Sequence, residues 1–184
     1  MKKFAFQVTT YGEPVEVMPT ISKIRARLFY KYENRNGSYI DDEFAEKLLS
    51  TLPYAPLKGI YDTETNDFKD HGSANDEGRI YGVVPQDPEV EWVKHVDEDG
   101  VEREYASCAV FIYSKLYKEA NEIVGKSHSM ELYPPSIKGE WIYAKGRKVF
   151  RFTDGAFFGL QVLGDVVEPC FEGAAFFTLY NDIL

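Results

Sequence analysis

The stretch from Val90 to Tyr113, VEWVKHVDEDGVEREYASCAVFIY, decides the class of fold. Apolar and polar residues alternate on both sides of the acidic turn Asp97-Glu98-Asp99-Gly100, a pattern typical of two strands joined by a tight turn. We therefore predict a long β-hairpin with arms from Val90 to His95 and from Val101 to Tyr113. The fold is expected to be rich in β-structure.

The same alternation marks further strands elsewhere in the chain. A second hairpin is predicted where Trp141 to Ala144 and Val149 to Phe152 flank the turn Lys145-Gly146-Arg147. Phe157 to Leu163 is almost wholly apolar, which is the pattern of a strand buried on both faces. The remaining predicted strands are Ile24 to Tyr32, before the turn signal Asn36-Gly37, then Arg79 to Val84, and Ser129 to Tyr133.

Two helices are predicted from the helical spacing of apolar residues. The first starts near Ile40, carries acidic residues in its first turn and ends before Pro53. The second runs from Ser114 as the N-cap to Gly125 as the C-terminal glycine. We therefore assign the chain to the α+β class, as a mostly antiparallel β-sheet or small β-barrel with two helices.

Length and charge limit the classes of function. The 184 residues are expected to form a single domain over residues 1–184, with a tail or scaffold junction from about residue 175. Thirty acidic against 21 basic side chains give a formal charge of −9, which argues against a protein that coats nucleic acid or binds anionic membranes. An acidic decoy of nucleic acid, inhibiting a host enzyme, stays open on charge alone.

The sequence gives no sign of a targeting segment or of a metal site. The apolar run at the start is too short for the core of a signal peptide, and no stretch approaches about 18 apolar residues, so we expect a soluble protein. Cys108 and Cys170 lie far apart without a CxxC spacing, and reduced, buried thiols are expected. We predict neither a metal nor a cofactor.

The chain has three histidines, and histidine is the side chain best suited to act as a general base near neutral pH. His95 lies in the acidic hairpin and is expected to be a solvated surface residue. His128 lies between Ser127 and Ser129 in a strand, so that alternation turns its side chain away from both serines. His71, in a polar loop, is the remaining candidate.

Ser129 is the candidate nucleophile. It begins a short apolar strand directly after the second predicted helix, and a strand end after a turn can present a hydroxyl beside backbone N–H groups. The alternative, that Ser127 and Ser129 only cap or solvate the end of a strand, stays open on these residues alone.

Four segments in fixed order make the chain recognisable. The segments are Phe44 to Tyr54 with Lys58 to Asp62, Asp67 to Gly72 with Gly78 to Pro85, Ser129 to Leu132, and Val162 to Ala174. With these segments the chain resembles the prohead (capsid maturation) serine proteases of tailed bacteriophages, in the protease/scaffold branch carried by phages of Gram-positive bacteria. They span most of the chain between about Asp41 and Ala174.

The resemblance implies that His71 is the general base and Ser129 the nucleophile. The family's third member is an acidic residue in a late apolar strand, and the corresponding stretch here, Phe157 to Leu163, has no carboxylate. Asp154 and Glu168, which flank this region, are therefore the candidates for orienting His71. Glu131 shares a strand face with Ser129 and stands either as an unusual third member or as an obstruction to substrate.

Two functions follow from these expectations. The first is a serine endopeptidase of phage capsid maturation that cleaves scaffold protein, capsid protein and itself. The second is an inactive assembly or scaffold protein that keeps the protease fold and binds capsid protein. The expected partners are phage scaffold and major capsid protein, together with self-association, and neither nucleic acid nor membrane. The expected place is the cytoplasm of the bacterial host, inside the assembling prohead.

Overall fold

The computed structural model describes residues 12–71 and 78–178, and within them the chain is mostly β. Fifteen strands are accompanied by one α-helix and by 3₁₀ turns at Lys118–Glu122 and Pro134–Ser136. In chain order the strands and the helix are β1 (Val15–Met18), β2 (Ile21–Tyr30), β3 (Tyr32–Glu33), β4 (Ser38–Ile40), α1 (Asp42–Ser50), β5 (Pro56–Gly59), β6 (Tyr61–Asp62), β7 (Asp67–Phe68), β8 (Arg79–Val83), β9 (Glu91–Val96), β10 (Glu102–Ile112), β11 (His128–Leu132), β12 (Lys138–Ala144), β13 (Arg147–Asp154), β14 (Phe157–Val162) and β15 (Phe176–Phe177).

The strands form three sheets. The largest has the order β1-β2-β10-β8-β5-β14-β11, with β9 added on β10 and β15 added on β2. The second has the order β12-β13-β4-β3, and β6 pairs with β7. Most neighbours are antiparallel, but β5 and β14 are parallel, as are β4 and β13. Both of the larger sheets are therefore mixed.

The expected α+β class, a mostly antiparallel sheet or small barrel with two helices, is confirmed only in part: most strand pairs are antiparallel, but the described residues are mostly β and contain one α-helix. In residues 12–71 and 78–178 the sheets stay open, and no barrel closes. A single bridge between Ser127 and Ala175 connects the segment ahead of β11 to the segment ahead of β15. Alternation indicates which face of a strand is buried and not which strand it pairs with, so parallel pairs between distant parts of the chain were not predictable.

Both predicted hairpins are confirmed. β9 pairs antiparallel with β10, and β12 pairs antiparallel with β13. Gly100 and Gly146 lie in their turns with φ of 79°, a left-handed conformation that glycine adopts without steric penalty. The predicted apolar strand is present as β14, and every residue in it except Phe158 is buried.

The first predicted helix is confirmed as α1. Asp41 is its N-cap, and the Asp41 side chain accepts a hydrogen bond of 2.8 Å from the backbone N–H of Phe44. Asp42 and Glu43 lie in the first turn, where carboxylates are favoured by the helix dipole. The buried face of α1 packs on the core through Phe44, whose ring stacks on Phe152.

The second predicted helix, from Ser114 to Gly125, is wrong. This segment contains only the 3₁₀ turn Lys118–Glu122, because Tyr117 ahead of it is extended. The Asn121 side chain also donates hydrogen bonds to the backbone carbonyls of Ser114 and Lys118, which gives the backbone a partner other than a helical N–H.

One hydrophobic core joins the large sheet to α1. Its largest fully buried side chains include Phe29 and Leu28 from β2, Tyr105 from β10 and Tyr81 from β8. The core also takes the inward side chains of β5, β14 and β11. None of the helices in the described part of the chain is long and apolar enough to cross a membrane.

Candidate active site

Side chains of β11 alternate between the core and an outer face. His128 is fully buried, where its Nε2 atom donates to the Arg27 carbonyl at 2.6 Å and its ring packs on Phe176. Ser129 and Glu131 point to the opposite face, since successive residues of a strand point to opposite sides. As alternation predicts, His128 faces away from the serine hydroxyl.

The outer face of β11, β14 and β5 carries a group of polar side chains in two neighbouring rows. We call this group the polar strip: Ser129, Glu131, Gln161 and Lys58. Ser129 pairs with Gln161 across β11 and β14, and Gln161 pairs with Lys58 across β14 and β5. Paired residues of neighbouring strands project on the same face, so these three side chains lie in one row. Glu131 lies in the next row, opposite Gly159.

His71 reaches this strip from the segment after β7. Its Nδ1 atom lies 3.0 Å from Oε1 of Glu131, a hydrogen bond between residues 60 positions apart. The Nε2 atom lies 3.9 Å from Oδ1 of Asp70, whose carboxylate also accepts the backbone N–H of His71. The His71 side chain is 45% exposed, while the Glu131 side chain is only 21% exposed. The carboxylate thus orients the ring and leaves Nε2 accessible.

Lys58 holds the second carboxylate oxygen of Glu131. Its Nζ atom is hydrogen bonded to Oε2 of Glu131, and it also lies 5.0 Å from the centroid of the Phe158 ring. To reach Glu131, Lys58 crosses β14 at Gly159, where a Cβ atom would lie 2.9 Å from Lys58 Cε. The glycine therefore opens the passage through which the Lys58–Glu131 ion pair forms.

The two partners of the His71–Glu131 contact shift each other's proton affinity. The hydrogen bond from Glu131 raises the pKa of His71 above its usual value of about 6.5. The hydrogen bond from His71, helped by Lys58, lowers the pKa of Glu131 below its usual range. Between these two pKa values the pair is an ion pair, and above the His71 pKa the imidazole is neutral and able to accept a proton.

Gln161 stands out because its side chain is buried and incompletely bonded. It is 4% exposed, and its Nε2 atom has no hydrogen-bond partner among the described residues. More than nine in ten buried polar groups of proteins are hydrogen bonded, so a buried amide without a partner calls for an explanation. Its row neighbours on either side are Ser129 and Lys58.

The structure brings Ser129 and His71 to the same polar strip without joining them directly. Ser129 is two residues from Glu131 on β11, which places the two side chains about 6.6 Å apart along the strand. In the described residues, the hydrogen bond of the His71 ring goes to Glu131 and not to Ser129.

The model of one protein family, the YonD N-terminal domain, matches residues 20–182. The chain belongs to this family. Neither a curated protein nor a solved structure matches the chain. The matched part of the YonD N-terminal domain includes His71 and the whole polar strip, so the candidate site lies inside the domain that defines the family. The family name states no reaction.

Two other carboxylates of this YonD N-terminal domain were candidates for orienting His71, and both have other partners. Asp154 lies in the second sheet, where Oδ1 is 3.1 Å from Nζ of Lys47. Glu168 is 87% exposed and lies 3.6 Å from Arg35. The carboxylate that contacts His71 is Glu131. Alternation along the strand predicts that Glu131 lies on the same face as Ser129. It does not predict the contact between Glu131 and His71, which lies 60 positions earlier.

A second histidine–carboxylate pair lies at the β9–β10 hairpin and was not predicted. The Asp97 side chain is fully buried, and its Oδ2 atom accepts hydrogen bonds from Arg103 at 2.6 Å and from the Tyr105 hydroxyl at 2.8 Å. His95 was expected to be solvated, yet burial lowers its pKa and its Nε2 atom lies 3.8 Å from Oδ1 of Asp97. The acidic turn is therefore anchored inward and not simply exposed.

A polar cleft of about 590 Å³ lies between the β6–β7 hairpin and the 3₁₀ turn Lys118–Glu122. Glu119 is its most buried charged group, with Oε1 accepting from Arg79 at 2.7 Å and from the Tyr81 hydroxyl at 2.8 Å. Because Glu119 was assigned to a helix that does not form, the sequence offered no signal for this cleft.

Proposed function

We propose that the chain is a serine endopeptidase that acts in phage capsid maturation, with Ser129 as nucleophile, His71 as general base and Glu131 as the residue that orients His71. The observation that carries this function is the 3.0 Å contact between His71 Nδ1 and Glu131 Oε1, two residues from Ser129 on the same strand face. A histidine backed by a carboxylate beside a serine is the arrangement that serine hydrolases of unrelated folds share.

Each group has a defined task in this chemistry. Glu131 accepts a hydrogen bond from the Nδ1–H group of His71, which keeps the neutral ring in the tautomer whose Nε2 atom is free to accept a proton. Nε2 takes the hydroxyl proton of Ser129 while Oγ forms a bond to the peptide carbonyl carbon. Nε2 then returns this proton to the leaving nitrogen as the C–N bond breaks. Water releases the acyl group from Ser129 by the same two proton transfers in reverse.

Lys58 supports the orienting carboxylate. Its ion pair with Oε2 of Glu131 keeps the carboxylate ionised and fixes its direction, while Oε1 stays on His71. The Lys58 side chain is 26% exposed and the Glu131 side chain 21%, so the pair is shielded from water more than a surface ion pair is. A positively charged neighbour also stabilises the neutral form of His71 and so favours its role as a base.

The substrate class rests on the resemblance of four segments to prohead proteases. The proposed substrates are scaffold protein, capsid protein and the chain itself, inside the assembling prohead in the host cytoplasm. The formal charge of −9 is compatible with basic or helical scaffold segments, which an acidic surface attracts.

Co-expression with phage scaffold and major capsid protein tests this function. We expect the unchanged chain to cleave its partners and Ser129→Ala to lose cleavage while keeping its thermal unfolding transition. Ser127→Ala is the matched control, because Ser127 is two residues away and equally half-buried. Cleavage that persists in Ser129→Ala and disappears in Ser127→Ala would move the nucleophile to Ser127.

A second candidate is an inactive assembly protein that keeps this fold and binds capsid protein. The observation that favours it is the aromatic surface of the β12–β13 hairpin, where Trp141 is 62% and Tyr143 is 79% exposed. Exposed aromatic side chains are enriched at protein interfaces. Binding of capsid protein that survives Ser129→Ala and is lost in the double variant Trp141→Ser/Tyr143→Ser, with no cleavage in either, would favour this candidate.

A further inference from the structure

The polar strip contains a buried hydrogen-bond donor that has no partner among the described residues. His71 Nδ1 and Lys58 Nζ both bond to the Glu131 carboxylate, one on each oxygen. Gln161 lies in the same strip, its side chain is 4% exposed, and its Nε2 atom has no partner in the part of the chain that the structure describes. Leaving a buried N–H group unbonded costs free energy, and such groups in native structures require an explanation.

The register of β14 places the Gln161 side chain beside the candidate nucleophile. Gln161 is directly opposite Ser129 on β11, and Cβ atoms of residues so paired are about 4.5–5.5 Å apart. The next position of β14 on the same face is Gly159, which has no side chain. The space between Gln161 and Glu131 is therefore bounded by Lys58 and not by another residue of β14.

We propose that Nε2 of Gln161 donates a hydrogen bond to the oxygen that becomes negatively charged when Ser129 attacks an acyl substrate. This inference rests on the proposed function and adds a catalytic residue to it. As the Oγ–C bond forms, the π electrons of the carbonyl move onto oxygen and the hydroxyl proton moves to His71. Gln161 keeps its own proton and only donates the hydrogen bond. Amide side chains of this kind serve as oxyanion donors in acyl transfer, each contributing about 10²–10³-fold to the rate.

A neutral donor suits this position. The cation of Lys58 is held by Glu131, so it is not free to follow the substrate oxygen. β14 is paired with a neighbouring strand on both sides, which fixes the backbone of Gln161, and burial restricts the movement of its side chain. A donor confined before the reaction begins meets the condition for effective stabilisation of a transition state.

The test compares the rate at which a fluorophosphonate probe modifies Ser129 in the unchanged chain, in Gln161→Met and in Gln161→Glu. The phosphoryl oxygen of the probe develops negative charge as Oγ attacks, so it requires the same donor. We expect both variants to react about 10²–10³-fold more slowly. Ser127→Ala, outside the strip, should react at the unchanged rate.

Stability separates a catalytic role from a structural one. Replacing a buried amide that lacks a partner by an apolar side chain of similar size is nearly neutral, so Gln161→Met should keep or raise the melting temperature. In the unchanged chain, formation of the probe adduct should also shift the side-chain amide resonances of Gln161 in a ¹H–¹⁵N spectrum.

The outcomes distinguish a failure of the proposed serine endopeptidase function from a failure of the oxyanion role of Gln161. If the unchanged chain never reacts at Ser129, the proposed function fails and this inference fails with it. If the unchanged chain reacts and the Gln161 variants, folded by circular dichroism, react equally fast, only the oxyanion role is overturned. Should either variant not fold, unshifted Gln161 resonances on adduct formation would overturn it as well.

Discussion

Two histidine–carboxylate pairs in this molecule differ in one decisive respect. At the polar strip, Glu131 places one oxygen 3.0 Å from His71, and the contact raises the pKa of the imidazole. At the β9–β10 hairpin, Arg103 and Tyr105 both donate to Oδ2 of Asp97, Oδ1 stays 3.8 Å from Nε2 of His95, and burial lowers the pKa of His95. Of these two pairs, only the one within hydrogen-bond distance has the pKa of its histidine raised.

The comparison also separates stability from function. The Asp97 side chain is fully buried within a network that ties the hairpin to the segment around Gly173, whose backbone N–H donates to Tyr105. The Glu131 side chain is partly exposed at the surface of a sheet. Substitutions in the network around Asp97 should change the stability of the fold. Substitutions in the polar strip should change the reactivity of Ser129.

The largest expected effect is that of His71→Ala on reactivity. Without its base, Ser129 should react with a fluorophosphonate probe at least about 10⁴-fold more slowly, since members of a catalytic triad act as a unit. His95→Ala is the control and should leave the rate unchanged. A His95→Ala protein that loses reactivity while His71→Ala retains it would reverse the roles of the two regions.

Glu131→Gln should have the next largest effect, a decrease on the order of 10³-fold in the same reaction. The amide cannot stabilise the imidazolium as a carboxylate does, and orienting residues contribute less than the nucleophile and the base. The rate is measured at several pH values to separate the loss of charge from a loss of structure. A rate unchanged from that of the wild-type chain would remove Glu131 from the site.

Asp97→Ala should act on stability instead. Arg103 keeps its ion pair with Asp99, but it loses its buried partner and the buried Tyr105 hydroxyl loses its acceptor, which costs about 1–3 kcal/mol in the free energy of unfolding. Urea unfolding followed by circular dichroism measures this loss. Glu131→Gln serves as the comparison and should change the unfolding free energy by much less; a larger loss there than for Asp97→Ala would contradict the division between the regions.

The pH dependence of the site should have opposite signs for reactivity and for stability. Because Glu131 raises the pKa of His71, the base becomes neutral only above that raised value, and the rate should increase through a pH above about 6.5. The stability that the same contact contributes is fully present below about pH 6.5 and is lost as pH rises through the raised pKa. On the acid side it is lost as pH falls through the lowered pKa of Glu131.

The Glu131→Gln variant checks this assignment, because without the carboxylate the midpoint of the rate profile should move down towards about 6.5. The difference between the unfolding free energies of the two proteins, measured across the same range, should narrow above the pKa of His71 to the part contributed by the Lys58–Glu131 ion pair. A midpoint that stays in place would mean that another group controls it.

The smallest effects are expected at the two carboxylates that the sequence favoured. Asp154 is paired with the half-exposed Lys47, and Glu168 is almost fully exposed. Asp154→Asn and Glu168→Gln should each change the unfolding free energy by less than about 1 kcal/mol and leave the rate at Ser129 unchanged. A loss of reactivity in either variant would return the orienting role to the residue concerned.

The sequence predicted the parts of the fold that are local. Both hairpins, β14 and α1 follow from alternation, turn residues and an acidic N-terminus, all of which act over a few residues. The helix predicted between Ser114 and Gly125 does not form, because the backbone of Tyr117 is extended and the Asn121 side chain donates hydrogen bonds to backbone carbonyls. The parallel pairing of β5 with β14 could not be predicted from the sequence, since no short-range pattern specifies it.

The sequence predicts some residues of the candidate site but not their contacts. Elimination among the histidines and the resemblance point to His71 and Ser129, and alternation places Glu131 on the face of Ser129. The contact between His71 and Glu131, the passage of Lys58 over Gly159 and the burial of Gln161 depend on strands brought together from distant parts of the chain. Such contacts follow from topology, which composition and periodicity do not determine.

The most direct test of a Ser129–His71–Glu131 site is the intact mass of the protein after exposure to diisopropyl fluorophosphate, followed by peptide mapping. We expect one phosphoryl adduct on Ser129 of the unchanged chain, and no adduct in Ser129→Ala or in His71→Ala. No adduct on the unchanged chain, or the same adduct on Ser129→Ala, would contradict the account.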